Sequence, residues 1–136
     1  DSNANTFKSG SFLHIVVDGC ADHVHHGSKV QHIQLKIPSE PRPSITPLKI
    51  NDTDIMGLAV NGVLFRKPNN SDSSRISPDL CMGSTFGVTQ GYSYMRFPKC
   101  LLASLGVNVS QSPENLASWS LRSDPSPKVG IALDGY

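Results

Sequence analysis

Where this chain shows a hydrophobic period, the period is two. Ile33, Leu35 and Ile37 alternate with His32, Gln34 and Lys36, which predicts a half-buried strand over residues 29–37. Residues 11–18 (SFLHIVVD) are rich in β-branched positions and stop at Asp18-Gly19, the mark of a strand running into a turn. Residues 55–66 read as a hairpin, with the turn at Asn61-Gly62 and Val63-Leu64-Phe65 as its return strand. A short strand is predicted over residues 92–97 (YSYMRF), with Tyr92, Tyr94 and Arg96 on one face, and a last one over residues 127–133. Helical signals are few. Residues 99–105 start after Pro98 and stop at Gly106, and residues 113–121 carry Pro113 in the first turn with Leu116 and Trp119 on one face. The proline-rich residues 38–47 form an extended connector, residues 68–79 a polar loop, and residues 1–10 a polar arm ahead of a single domain over residues 11–136. The expected fold is mainly β: antiparallel sheets and hairpins in a sandwich-like arrangement with one or two short helices.

One heptapeptide is nearly repeated. Gly57-Leu58-Ala59-Val60-Asn61-Gly62-Val63 is echoed by Gly130-Ile131-Ala132-Leu133-Asp134-Gly135-Tyr136. Each is a short apolar strand entering Asn-Gly or Asp-Gly, a strong hairpin signal. The first has a return strand. The second reaches Tyr136, which gives the expectation of a domain incomplete without a C-terminal complement, its open edge closed by another polypeptide.

Composition sharpens the class. Of 136 residues, 38% are hydrophobic and 17% charged, with a net charge of +1 and both signs interspersed. No basic stripe with interleaved aromatics is present, so nucleic acid is not an expected partner. No apolar run approaches the roughly 18–20 residues that a membrane-spanning helix needs. The start at Asp1, without an apolar signal core, is expected of a processed, mature product. Sequons at Asn51, Asn69 and Asn108 lie in predicted loops, and a secreted, extracellular protein carrying N-linked glycans is the expectation. Cys20, Cys81 and Cys100 are an odd set: one intrachain disulfide would leave a third thiol for an interchain bond, and the pairing is open.

Candidate chemistry clusters near the N-terminus. Asp22, His23, His25 and His26 form an Asp-His-x-His-His run that would suit copper or zinc, set against the reading of a solvated histidine-rich loop. Catalytic patterns are missing. There is no Gly-x-Ser-x-Gly elbow, and the carboxylates are scattered. Gly57 and Gly62 bound a β-turn and not a phosphate-binding loop. Tyr92, Tyr94, Phe97, Trp119 and Tyr136 could form an aromatic surface, but core and cross-strand packing is the leading reading.

The order of short segments resembles the YHYH-domain family. Asp18-Gly19-Cys20-Ala21-Asp22-His23, the first heptapeptide, Asp79-Leu80-Cys81-Met82-Gly83, Tyr92-Ser93-Tyr94-Met95 with Pro98-Lys99-Cys100-Leu101-Leu102, and the second heptapeptide follow one another over residues 18–136. The resemblance implies a secreted β-rich fold more firmly than any activity. The chain departs from the family pattern: the name-giving tetrapeptide stands here as Tyr92-Ser93-Tyr94-Met95, and Ser84 occupies the place of a further histidine. No histidine-based role therefore carries over to residues 92–95. The resemblance also implies that this chain corresponds to the N-terminal part of such a domain, its partner being the remainder of the precursor after cleavage.

These observations lead to a non-enzymatic structural or interaction subunit that completes its fold with a second chain. The alternative is an extracellular copper- or zinc-binding protein using Asp22, His23, His25 and His26.

Overall fold

The computed structural model describes residues 4–19, 21, 30–51, 54–67, 78–85, 91–109, 125 and 127–136. Three successive strands, β1 (Ala4–Ser9), β2 (Phe12–Gly19) and β3 (Gln31–Pro38), form an antiparallel sheet in that order. The period-two reading of β3 holds: Ile33 and Ile37 are buried, while His32, Gln34 and Lys36 are exposed. Ile15 and Val17 of β2 point to the same interior, and Val17 pairs directly with Ile33. On the outer face, Phe7 stacks on His14 at 4.8 Å and Lys36 Nζ sits 4.1 Å from the centre of the Phe12 ring.

Residues 1–10 read as a polar arm, yet Ala4–Ser9 pairs with β2 along its whole length. All six residues are exposed, so hydrophobic burial does not hold this strand. Its backbone ladder and the Phe7–His14 stack do. The hairpin turns at Gly10-Ser11, where Gly10 has φ +59° at the first central position, as a primed two-residue turn requires. That Gly-Ser pair between Ser9 and Phe12 was the available signal.

The second sheet contains β4 (Ile55–Ala59), β5 (Leu64–Arg66), β6 (Gly83–Thr85), β7 (Tyr92–Tyr94) and β8 (Gly130–Ala132), in the order β6-β7-β5-β4-β8. All neighbours are antiparallel except β5 and β7, which run parallel. The predicted hairpin over residues 55–66 is β4–β5. Helix α1 (Lys99–Ser104) follows Pro98, whose C=O accepts from Leu102 N–H at 3.0 Å, and it buries Leu101 and Leu102. The chain leaves the helix through Gly106 at φ +82°. The second helix expected at residues 113–121 lies outside the described residues.

The second sheet has a core on each face. Leu58 and Leu64 pack with Ile15, Val17, Ile33 and Ile37 between the two sheets. On the opposite face, Ala59, Val63, Tyr92 and Tyr94 pack with Leu101 of α1. Each fully buried aliphatic side chain contributes about 1.5–3 kcal/mol from removal of apolar surface from water. The fold is thus mainly β, as the pattern predicts. Among the described residues no helix is long and apolar enough to cross a membrane.

Candidate functional site

The two heptapeptides come together in space. β4 and β8 pair antiparallel with Leu58 opposite Ile131, Gly57 opposite Ala132 and Ala59 opposite Gly130. Each residue of one copy meets its counterpart in reverse order, so the register defines a local two-fold axis through the Leu58–Ile131 pair. The flanking bonds obey it: Val60 N–H donates to Val129 C=O at 2.9 Å, and Leu133 N–H donates to Met56 C=O at 3.0 Å.

Both copies then make the same turn. Gly62 N–H donates to Ala59 C=O at 2.9 Å and Ala59 N–H to Val63 C=O at 2.8 Å; Gly135 N–H donates to Ala132 C=O at 3.0 Å and Ala132 N–H to Tyr136 C=O at 2.6 Å. This is a turn followed by a left-handed glycine, with Gly62 at φ +81° and Gly135 at φ +95°. Even the side chains match. The Asn61 and Asp134 Oδ1 atoms accept from the N–H two residues on, each at 3.3 Å. The turns seat on opposite ends of the first sheet. A Cβ on Gly62 would lie 2.9 Å from Gly19 Cα and from a Val17 methyl, and one on Gly135 would lie 2.8 Å from Pro38 C=O.

The surroundings break the symmetry. Beyond the first turn, β5 covers the far edge of β4, and Gly57, Leu58, Ala59 and Val63 are buried. Among the described residues no strand lies on the far side of β8. Gly130 is exposed, Ile131, Ala132 and Leu133 are only half-buried, and Tyr136 is 60% exposed. Since residues 129, 131 and 133 turn their backbone groups toward β4, alternation directs the N–H and C=O of Gly130 outward. A groove of about 540 Å³ runs between Leu48, Ile50, Ile55 of β4, Arg66 of β5 and Leu133. Leu48 is 91% exposed.

The copy that is covered owes its support to a polar network. Asn61 Nδ2 donates to Tyr94 Oη at 3.0 Å. Tyr92 Oη donates to the Asp79 carboxylate, 3.0 Å from Oδ1 and 2.9 Å from Oδ2. Asp79 Oδ1 also accepts from the Cys81 and Gly83 N–H groups at 2.9 and 3.1 Å. Such a carboxylate organises the turn that carries Met82 at φ +69°. Gly83 is obligatory there because a Cβ would press into the Tyr92 ring. A disulfide joins Cys81 to Cys100 and ties the turn to α1. Ser93 is fully buried and accepts from Arg66 Nε at 3.3 Å; burial pushes the Arg66 pKa down from its ordinary value.

The sequence-predicted site residues fare unequally. Cys81 and Cys100 are paired with each other, while Cys20 lies outside the described residues. So do Asp22, His23, His25, His26 and Asn69. Among the described residues no three histidine, cysteine or acidic side chains converge as metal ligands. Asn51 and Asn108 are exposed. Tyr92 and Tyr94 are core residues, at 2% and 0% exposure, and do not line an aromatic surface. Asp79 escaped the sequence reading as an organising residue, although Asp-x-Cys-x-Gly is the spacing an aspartate-headed turn would show. No family model, curated protein or solved structure matches this chain.

Proposed function

We propose that this chain is a secreted, N-glycosylated, non-enzymatic interaction subunit that joins a second polypeptide through the open side of its second sheet. The observation that carries this reading is the unequal cover of two equivalent strands: β4 has neighbours on both edges, and β8 has one on a single edge among the described residues. An edge left uncovered among the described residues, with half-buried Ile131 and Leu133 beside it, is a ready template for another chain. The Cys81–Cys100 disulfide and the surface positions of Asn51 and Asn108 support an oxidising, glycosylating compartment. Intact mass spectrometry of native material, with and without reductant and glycosidase, tests it. The expected result is a second polypeptide travelling with this chain and a mass shift on deglycosylation. A free, unglycosylated monomer would overturn the reading.

A further inference from the structure

We propose that Asn61 is a modification site, converted to aspartate and isoaspartate by deamidation, and that the Tyr94 hydroxyl holds this reaction in check. The sequence supplies the chemistry. Asn61-Gly62 is the one Asn-Gly pair in the chain. Glycine has no Cβ, so its backbone nitrogen is the least hindered nucleophile that can follow an asparagine. Deprotonated by hydroxide, the Gly62 nitrogen attacks Asn61 Cγ. The new N–Cγ bond forms, the Cγ–Nδ2 bond breaks, and ammonia leaves with a proton from water. Water then opens the five-membered imide. Attack at Cγ yields aspartate. Attack at the backbone carbonyl yields isoaspartate, in which Cβ has become a main-chain atom.

In the folded turn each reacting group is already engaged. The Gly62 N–H donates to Ala59 C=O at 2.9 Å. Asn61 Oδ1 accepts from the Val63 N–H at 3.3 Å, and Nδ2 donates to Tyr94 Oη at 3.0 Å. The Gly62 carbonyl packs so closely on Gly19 that a Cβ on Gly19 would overlap it. Ring closure turns the Asn61 side chain against the Gly62 peptide, so these bonds must open first. Two of them belong to the turn and open with it. The third comes from β7, where Tyr94 is fully buried and its ring fixed. Tyr94 is thus a positioning residue that acts through Asn61.

The second turn shows one product in place. Asp134 keeps the same backbone bonds and the same Oδ1 contact, so an aspartate at position 61 leaves the turn intact. Isoaspartate inserts a main-chain atom between β4 and β5. It shifts Leu64 from Leu58 on one side and from Ser93 on the other, and a slipped register displaces the buried face of β5.

The test is incubation of the full chain at mildly alkaline pH, with peptide mapping by mass spectrometry and isoaspartate located by electron-transfer fragmentation. Asn61 should convert at least about ten-fold more slowly in the folded chain than in urea. Tyr94→Phe should raise the folded rate about five-fold, the population change expected from one lost neutral hydrogen bond, and leave the rate in urea unchanged. Ile37→Val thins the core between the sheets at the end of β3 remote from Gly62 and lowers stability by a similar amount, yet should leave the folded rate unchanged. Asn61→Asp should melt with the unaltered protein and the isoaspartate form below it. Equal rates in folded and unfolded chains would overturn the proposal, as would an unchanged or slower rate in Tyr94→Phe. Equal acceleration by Ile37→Val would make global unfolding the route and overturn it too. Amide exchange in the unaltered protein gives a check that needs no variant: Gly62 should exchange by local opening, faster than the protected amides of β2 and β3, and equal protection would count against the site.

Discussion

Residues 57–63 and 130–136 fold alike and are treated differently by the rest of the molecule. They share strand, turn, glycine conformation and the side-chain bond from Asn61 or Asp134 to the backbone. Local sequence therefore suffices for the conformation. Burial does not follow from it: Gly57 is buried and Gly130 exposed, because among the described residues β5 and β7 stand beyond one copy and no strand beyond the other. The difference separates what a heptapeptide encodes from what its neighbours supply.

The sharpest way to probe that separation is truncation at the axis itself. Leu58→Ala should cost about 3 kcal/mol, typical of a buried leucine, and Ile131→Ala about half as much. Urea unfolding of the two variants measures the gap, and equal losses would mean that the two sides are equally packed. Next comes the support of the covered copy. Replacing Cys81 and Cys100 by serine removes a cross-link between residues 19 apart in sequence, and the expected loss is about 3 kcal/mol on the loop-entropy scale. Reductant should reproduce it in the unaltered protein and leave the serine variant unchanged. The two turn glycines give a smaller contrast. Gly62→Ala and Gly135→Ala both place a Cβ at positive φ, costing about 1 kcal/mol each from backbone strain. Each Cβ would meet a backbone atom within 3 Å, but Gly62→Ala should cost more, since its Cβ also presses on the buried Val17 methyl of β2, whereas Gly135 lies by the half-buried Pro38 and Pro41. Thermal melts rank the pair. The mildest change is Tyr94→Phe, which deletes the bond that Asn61 makes and Asp134 lacks among the described residues. A loss of about 1 kcal/mol is expected.

Much of the fold was legible because its signals are local. The alternation of β3, the Asn61-Gly62 turn and the Pro98-to-Gly106 helix each announce themselves within a few residues. What stayed hidden was long-range. The echo between the heptapeptides suggested related hairpins, but nothing in either said that they pair with one another. The parallel β5–β7 contact joins segments far apart in the sequence, with β6 between them, and has no sequence signature. β1 was misread because its residues are polar and its stabilisation is backbone pairing. The choice of Cys81 with Cys100 among three cysteines depends on the turn at Asp79 facing α1, a tertiary fact. The burial of Tyr92 and Tyr94 agrees with the packing reading of the aromatics, and the partners of their hydroxyls became visible only in three dimensions.

The pairing of β4 with β8 also sets an order of assembly. β1, β2 and β3 are neighbours in the chain, so their sheet closes short loops and forms early. β8 must find β4 across more than half the length of the chain, and the entropy of closing so long a loop delays that step. Ile131→Ala should therefore speed unfolding while leaving the refolding rate nearly unchanged, which stopped-flow fluorescence would measure. The last strand to arrive would then be the one that closes the second sheet over the core it shares with the first, so the two sheets are locked together only when folding is nearly finished.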